Sequence, residues 1–169
     1  FYVVQCRQCK LCYVNPRPAK IELPNLYLQN FFDHNFDPRR TTTINKFKHR
    51  VIKRRVPGSL LDVGCKKGEF MAFMKDKGWD VHGVEISKRA EDYYKLGTIV
   101  RSTLEDADFS PKSFDIITAW AVLEHMYDPL CFLKKSYEVL KDDGEILILV
   151  TNIETFSAKT LKNDDIPRH

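Results

Sequence analysis

Apolar residues along this chain change their period several times, and those changes divide it into elements. From Ser59 to Val63, SLLDV, Leu60 and Leu61 open an apolar stretch that carries an acid at Asp62, and it reads as a buried strand. Glycines follow at Gly64 and Gly68, and then Phe70, Phe73, Met74 and Lys77 recur at helical spacing until Gly78 stops the pattern. The unit repeats. Asp80 to Glu85 reads as a second strand ending in an acid, Ser87 caps a helix through Leu96, and Thr98 to Val100 is a third strand. Phe114 to Ala119 is a fourth, and Asp128-Pro129 opens a helix with Leu130, Leu133, Tyr137 and Leu140 expected to face the sheet. Asp142-Asp143-Gly144 turns the chain into EILILV, a fifth strand. Strands alternating with helices require parallel pairing, because parallel neighbours need a crossover. The expected fold is α/β, a doubly wound, mostly parallel sheet with ligand across the carboxyl ends of its strands beside the first.

The flanks are less regular. Ile44, Phe47, Val51 and Ile52 sit at helical spacing between Thr43 and Arg55, with Thr42 or Thr43 as cap and Pro57-Gly58 as stop. The other face of that helix carries Lys46, Lys48, His49, Arg50, Lys53 and Arg54, read as a solvated basic face because no aromatics interleave the charges. Residues 19 to 40 hold Tyr27, Phe31, Phe32 and Phe36 without a clean period and are expected to form a cap or linker. The organisation expected is a cysteine segment at 1–18, a helical cap at 19–56 and a ligand-binding domain at 57–169.

Composition narrows the picture. The 169 residues are enough for one buried core, and 27 Lys and Arg against 23 Asp and Glu are too nearly balanced to point to nucleic acid. The longest apolar run, Ile146 to Val150, is far too short to span a bilayer. Five cysteines, an odd number, favour reduced thiols or a metal over a disulfide framework, and with them a cytoplasmic setting. Cys6 and Cys9 form a C-x-x-C knuckle, half of a zinc ribbon; Cys12 and the distant His34 are candidates to complete the set.

The chemistry concentrates at SLLDVGCKKGEF, residues Ser59 to Phe70. Missing Cβ atoms at the glycines and free N–H groups let a ligand lie against the backbone, while Asp62 offers charge to a cation. Glu85 lies 21 residues after Gly64, at the end of the second strand, where a carboxylate takes both hydroxyls of a ribose. The turn fails G-x-G-x-x-G, which disfavours a dinucleotide.

These residues resemble the class I S-adenosylmethionine-dependent methyltransferases, whose first turn commonly reads D-x-G-x-G-x-G. SLLDVGCKKGEF looks like the first motif, VHGVEIS the second, TLEDADFSPKSFDIITAWAVLEHMYDP the third and fourth, and VLKDDGEILILVTN the fifth-strand region. The cysteine leader is similar to that of a subgroup with a zinc knuckle. The resemblance implies a Rossmann-like methyltransferase fold, S-adenosylmethionine as cofactor, and a small-molecule acceptor such as a sugar nucleotide, a quinone or another secondary metabolite, methylated at O, C or N. Asp62, Gly64, Cys65 and Gly68 would surround the methionine part and Glu85 would hold the ribose. Ile86 would pack on the adenine, Thr103 and Leu104 would meet its edge, Ala119 and Trp120 would line the methyl side, and His125 would act as general base. Two departures stand out: Lys66 replaces the usual middle glycine, and Thr103 a frequent acid. After Asn152 no strand pattern follows, so the fold is expected to be incomplete at its C-terminus. The rival readings are a non-catalytic methyltransferase-like binding module and a zinc-dependent nucleic-acid-binding module.

Overall fold

The computed structural model describes residues 2–17, 19, 38–52, 56–87 and 98–152. The chain divides into two units, Phe1–Leu23 with Thr151–His169, and Pro24–Val150. In the first, β1 (Tyr2–Gln5) and β2 (Cys12–Asn15) pair antiparallel with Tyr2 opposite Asn15 and Gln5 opposite Cys12. The turn between them is closed by Cys6 N–H donating to Leu11 O at 2.8 Å, with Lys10 in the left-handed region at φ 62°.

The second unit holds β3 (Ser59–Val63), β4 (Asp80–Val84), β5 (Thr98–Val100), β6 (Phe114–Trp120) and β7 (Leu140–Leu149). They form one sheet in the order β5-β4-β3-β6-β7, and every pairing is parallel. Strand order reverses at β3, which has β4 on one side and β6 on the other, so the crevice of a doubly wound sheet opens at the carboxyl end of β3. Period-two alternation sends Leu61, Val63, Ile117 and Ala119 into one core cluster with Phe114 and Phe132. Leu60 and Ile116 enter another with Ile52, Phe70, Met71 and Met74. Helices therefore cover both faces: α1 (Pro38–Val51) and α2 (Glu69–Lys75) lie on the second cluster, α3 (Pro129–Val139) on the first. Burial of each such Leu or Ile contributes about 2 kcal/mol.

Three expectations change. Leu130, Leu133 and Tyr137 do not face the sheet; they are exposed, and Phe132, Ser136 and Val139 are buried instead. The phase is set where α3 starts, because the Asp128 carboxylate accepts from Leu130 N at 3.0 Å and Cys131 N at 3.1 Å, with Pro129 as the first helical residue. Similarly, α1 begins at Pro38, ahead of the expected cap at Thr42 or Thr43, and turns Ile44, Phe47 and Val51 outward. Its inner stripe is Asn45, Lys48, His49 and Ile52, at helical spacing and mostly polar. Finally, β7 starts at Leu140, opposite Phe114, and its register shifts before Glu145 meets Ile116, so the DDG segment is an irregularity within a paired strand rather than the turn before it. The helix expected at Ser87 to Leu96, apart from Ser87 itself, lies outside the described residues, as do Tyr27, Phe31, Phe32, His34 and Phe36.

Candidate cofactor site

At the carboxyl end of β3 the chain leaves the sheet through Gly64 at φ 68°, Lys66 at φ 52° and Gly68 at φ 74°, three left-handed residues in five. Gly64 is constrained twice, since a Cβ there would also sit 2.6 Å from Val122 Cγ2. The turn is tied back to the sheet: Gly64 N–H donates to Val84 O at 2.9 Å, and Gly68 N–H to Cys65 O at 2.9 Å. The end of β4 is thus drawn against the turn that follows β3.

Glu85 completes that junction. Its Oε2 accepts from Lys66 N–H at 3.0 Å and its Oε1 from Ser87 N–H at 3.0 Å, although the residue is buried. Each oxygen keeps a lone pair for a further donor. Asp62 lies at the same end of β3, buried, with its Oδ1 accepting from Thr118 Oγ1 on β6 at 2.6 Å. Burial pushes the Asp62 carboxyl up to about 6; the nearby Lys48 charge and the Thr118 hydrogen bond pull the other way. Such a carboxylate gains from a cation brought to it.

Lys48 corrects the sequence reading most sharply. It does not sit on a solvated face: its ammonium lies 5.0 Å from the Phe70 ring centroid and 5.1 Å from that of Trp120. Those rings meet edge to face at 5.5 Å. Burial lowers the Lys48 pKa, the Asp62 charge raises it, and the positive charge of Lys66 lowers it again. Asn45 Nδ2 donates to Glu69 O at 3.2 Å, fixing α1 over the start of α2. A lysine three residues after an asparagine and four before a buried isoleucine is the only signal the sequence held for this placement.

The remaining candidates fall in two groups. Cys65 is buried beside Gly83, where a built Cβ would meet its Sγ at 2.7 Å, and burial raises its thiol pKa well beyond the ordinary range. Ala119 and Trp120 end β6 next to the turn, Ala119 being paired with Val63, and Trp120 Nε1 is buried with no acceptor among the described residues. Leu104 is buried and Ile86 half-buried; Thr103 Oγ1 donates to Asp106 Oδ2 at 2.9 Å. His125 is exposed, in the 3-10 turn Leu123–His125 that follows β6 and the left-handed Ala121.

Cys6 and Cys9 belong to the other unit. Backbone N–H groups of Cys9 and Gln8 lower the Cys6 thiol pKa. Among the described residues no three His, Cys, Asp or Glu side chains come together as a metal set. Cys12 opens the second strand of the same hairpin, but the three thiols are not gathered into such a set and tetrahedral zinc requires four ligands, so the described hairpin is not by itself a zinc site. Among those residues there is also no helix long and apolar enough to cross a membrane.

Comparison with known proteins agrees with this geometry. A family model described as a methyltransferase domain matches residues 32–167. The ubiquinone biosynthesis O-methyltransferase of Aliivibrio fischeri (strain MJ11) is 27% identical over 128 residues, covering 70% of this chain and 53% of that protein. The chain thus spans about half the length of the curated relatives it matches. A protein of Pyrococcus horikoshii OT3 superposes with a TM-score of 0.63 at 23% identity, over 80% of this chain and 66% of its own. Geranyl diphosphate C-methyltransferase from Streptomyces coelicolor A3(2), in complex with Mg2+, geranyl diphosphate and S-adenosyl-L-homocysteine, superposes with a TM-score of 0.56 at 18% identity, over 63% and 43%. With the family model covering most of the chain, this protein belongs to the methyltransferase-domain family.

Proposed function

We propose that the unit Pro24–Val150 binds S-adenosylmethionine and presents its methyl group to a nucleophile on a small molecule. The observation that carries this reading is the junction of β3 and β4: a buried carboxylate at the end of β4 grips the turn after β3, with a second buried carboxylate at the end of β3 itself. Glu85 takes the ribose hydroxyls on its remaining lone pairs, and Asp62 takes the ammonium group. Gly64, Cys65 and Gly68 line the methionine part, Ile86 packs on the adenine, and Thr103 and Leu104 meet its edge. Ala119 and Trp120 flank the methyl group.

When bound, the cofactor supplies an electrophilic methyl carbon on a sulfonium. The chain's own work is to align the acceptor, exclude water and remove a proton. His125, exposed after β6, is the candidate base for that proton. The curated relatives are O-methyltransferases of ubiquinone biosynthesis, which favours a hydroxyl acceptor here. The rival nucleic-acid reading loses ground because Lys48 leaves the basic face for the aromatic pair.

Calorimetric titration of S-adenosylmethionine and S-adenosylhomocysteine into wild type and Glu85→Ala tests the reading. Both nucleosides bind wild type, and Glu85→Ala loses about 100-fold in affinity. Absence of heat with wild type would overturn it.

A further inference from the structure

Helix α1 carries two stripes of different use. On the inner one, Asn45 donates to Glu69 O at 3.2 Å and the His49 ring meets that of Phe73 edge to face at 5.9 Å. On the other, Ile44, Phe47 and Val51 fall three and four residues apart, and all three are exposed, Phe47 by 55%. Apolar side chains lined up outside a helix that already has its packing face mark an interaction surface rather than a core.

The charge around that stripe has one sign. Arg40 extends it by a turn, and Lys46 and Arg50 flank it, all exposed. From Pro38 to Gly58 the chain carries eight of its 27 Lys and Arg and none of its 23 Asp and Glu, so everything outside that stretch is net negative, 19 basic against 23 acidic. The chain is polarised, and its basic pole is the stretch that forms α1.

That combination selects among partners. A second copy would set like charge against like charge. A nucleic acid would use the cations but leave Ile44 and Val51 in water. An anionic lipid surface uses both, since its headgroups take Arg and Lys while an apolar stripe enters the boundary with the acyl chains. The basic run also continues in sequence through Lys53, Arg54 and Arg55, past the end of the apolar stripe, which suits an extended charged surface better than a single partner helix.

We propose that the outer face of α1 docks the protein on an anionic lipid surface, with Ile44, Phe47 and Val51 entering the lipid and Arg40, Lys46 and Arg50 meeting headgroup phosphates. The helix lies on the bilayer and does not span it. Its inner face carries Lys48 to Phe70 and Trp120, so docking holds the candidate site at the membrane surface. The inference does not depend on which ligand that site binds.

Sedimentation of the full chain with vesicles tests it. Wild type should bind vesicles of equal parts phosphatidylcholine and phosphatidylglycerol, more weakly as salt rises, and should not bind vesicles of phosphatidylcholine alone. Arg40→Gln/Lys46→Gln/Arg50→Gln should weaken binding about 100-fold and Phe47→Ser about 10-fold, each melting at the wild-type temperature. In Phe47→Trp, bromine-labelled acyl chains should quench the added indole, a direct report that this face enters the lipid. Failure of wild type to bind the anionic vesicles would overturn the proposal, whether or not it retains polyuridylate or an acidic helical peptide. So would a Phe47→Ser chain that binds as tightly as wild type, or an absence of quenching in Phe47→Trp.

Discussion

Two buried aspartates stand on neighbouring strands, Asp62 near the carboxyl end of β3 and Asp115 near the amino end of β6, and their surroundings are opposite in kind. Asp115 Oδ2 accepts from Ser59 N–H at 2.8 Å and lies 3.0 Å from the Ser59 hydroxyl and 2.8 Å from Lys141 Nζ. A Cβ on Gly58 would overlap the same oxygen. Strands β3, β6 and β7 are fastened together there. Asp62 has the Thr118 hydroxyl and the more distant charge of Lys48. One end of the sheet is closed by its own side chains; at the other, among the described residues, the Asp62 carboxylate has one hydrogen-bond donor, which favours a cation brought to it.

The contrast predicts a separation of stability from binding. The largest effect falls on Asp115→Ala, which leaves the Ser59 N–H and Lys141 without this acceptor, while the Ser59 hydroxyl keeps Ser113 O at 2.7 Å. Denaturant unfolding should show a loss of about 3 kcal/mol, with the folded fraction binding S-adenosylhomocysteine as wild type does. A variant that stayed stable but lost binding would erase the distinction between the two ends.

Asp62→Asn should do the reverse, weakening S-adenosylmethionine about 100-fold by calorimetry without destabilising the chain. The pH dependence sharpens this. Folded Asp62 titrates near 6, above its ordinary 3.8, so the folded state holds the proton more tightly than the unfolded one. Stability from this group is therefore present below pH 4, falls as pH rises from about 4 to 6, and stays on the order of 3 kcal/mol lower beyond that. The wild type should lose stability relative to Asp62→Asn across that window. Cofactor affinity runs the other way, falling as pH drops below 6 and Asp62 is neutralised. Parallel pH profiles of stability for the two chains would contradict the role given to burial.

The smallest effect belongs to Thr118→Val, which removes a hydrogen bond that favours ionised Asp62. Affinity near pH 6 should fall about five-fold, with a smaller change at pH 8, as a binding series over pH would show. An equal loss at all pH values would mean that Thr118 acts through shape alone.

The sheet and the turn are legible because their signals are local. Leu60, Leu61 and Val63 followed by two glycines mark β3 and its exit, and Glu85 follows from strand spacing. Helix faces were less legible. On α3 the stripes Leu130, Leu133, Tyr137 and Phe132, Ser136, Val139 both carry apolar residues, and the more apolar one is exposed. The cap at Asp128 and the packing of Phe132 decide the phase, and neither appears in a hydrophobic period. Lys48 was misread for a related reason: its stripe on α1 faces a polar site and aromatic rings, so burial there selects a lysine with a long apolar stem.

One melting experiment bears on the centre of this account. Wild type, Asp115→Ala and Glu85→Ala are heated with and without saturating S-adenosylhomocysteine. A ligand held at the carboxyl end should raise the melting temperature of wild type and of Asp115→Ala by similar amounts and that of Glu85→Ala by much less. An equal rise in all three chains, or none in wild type, would contradict it.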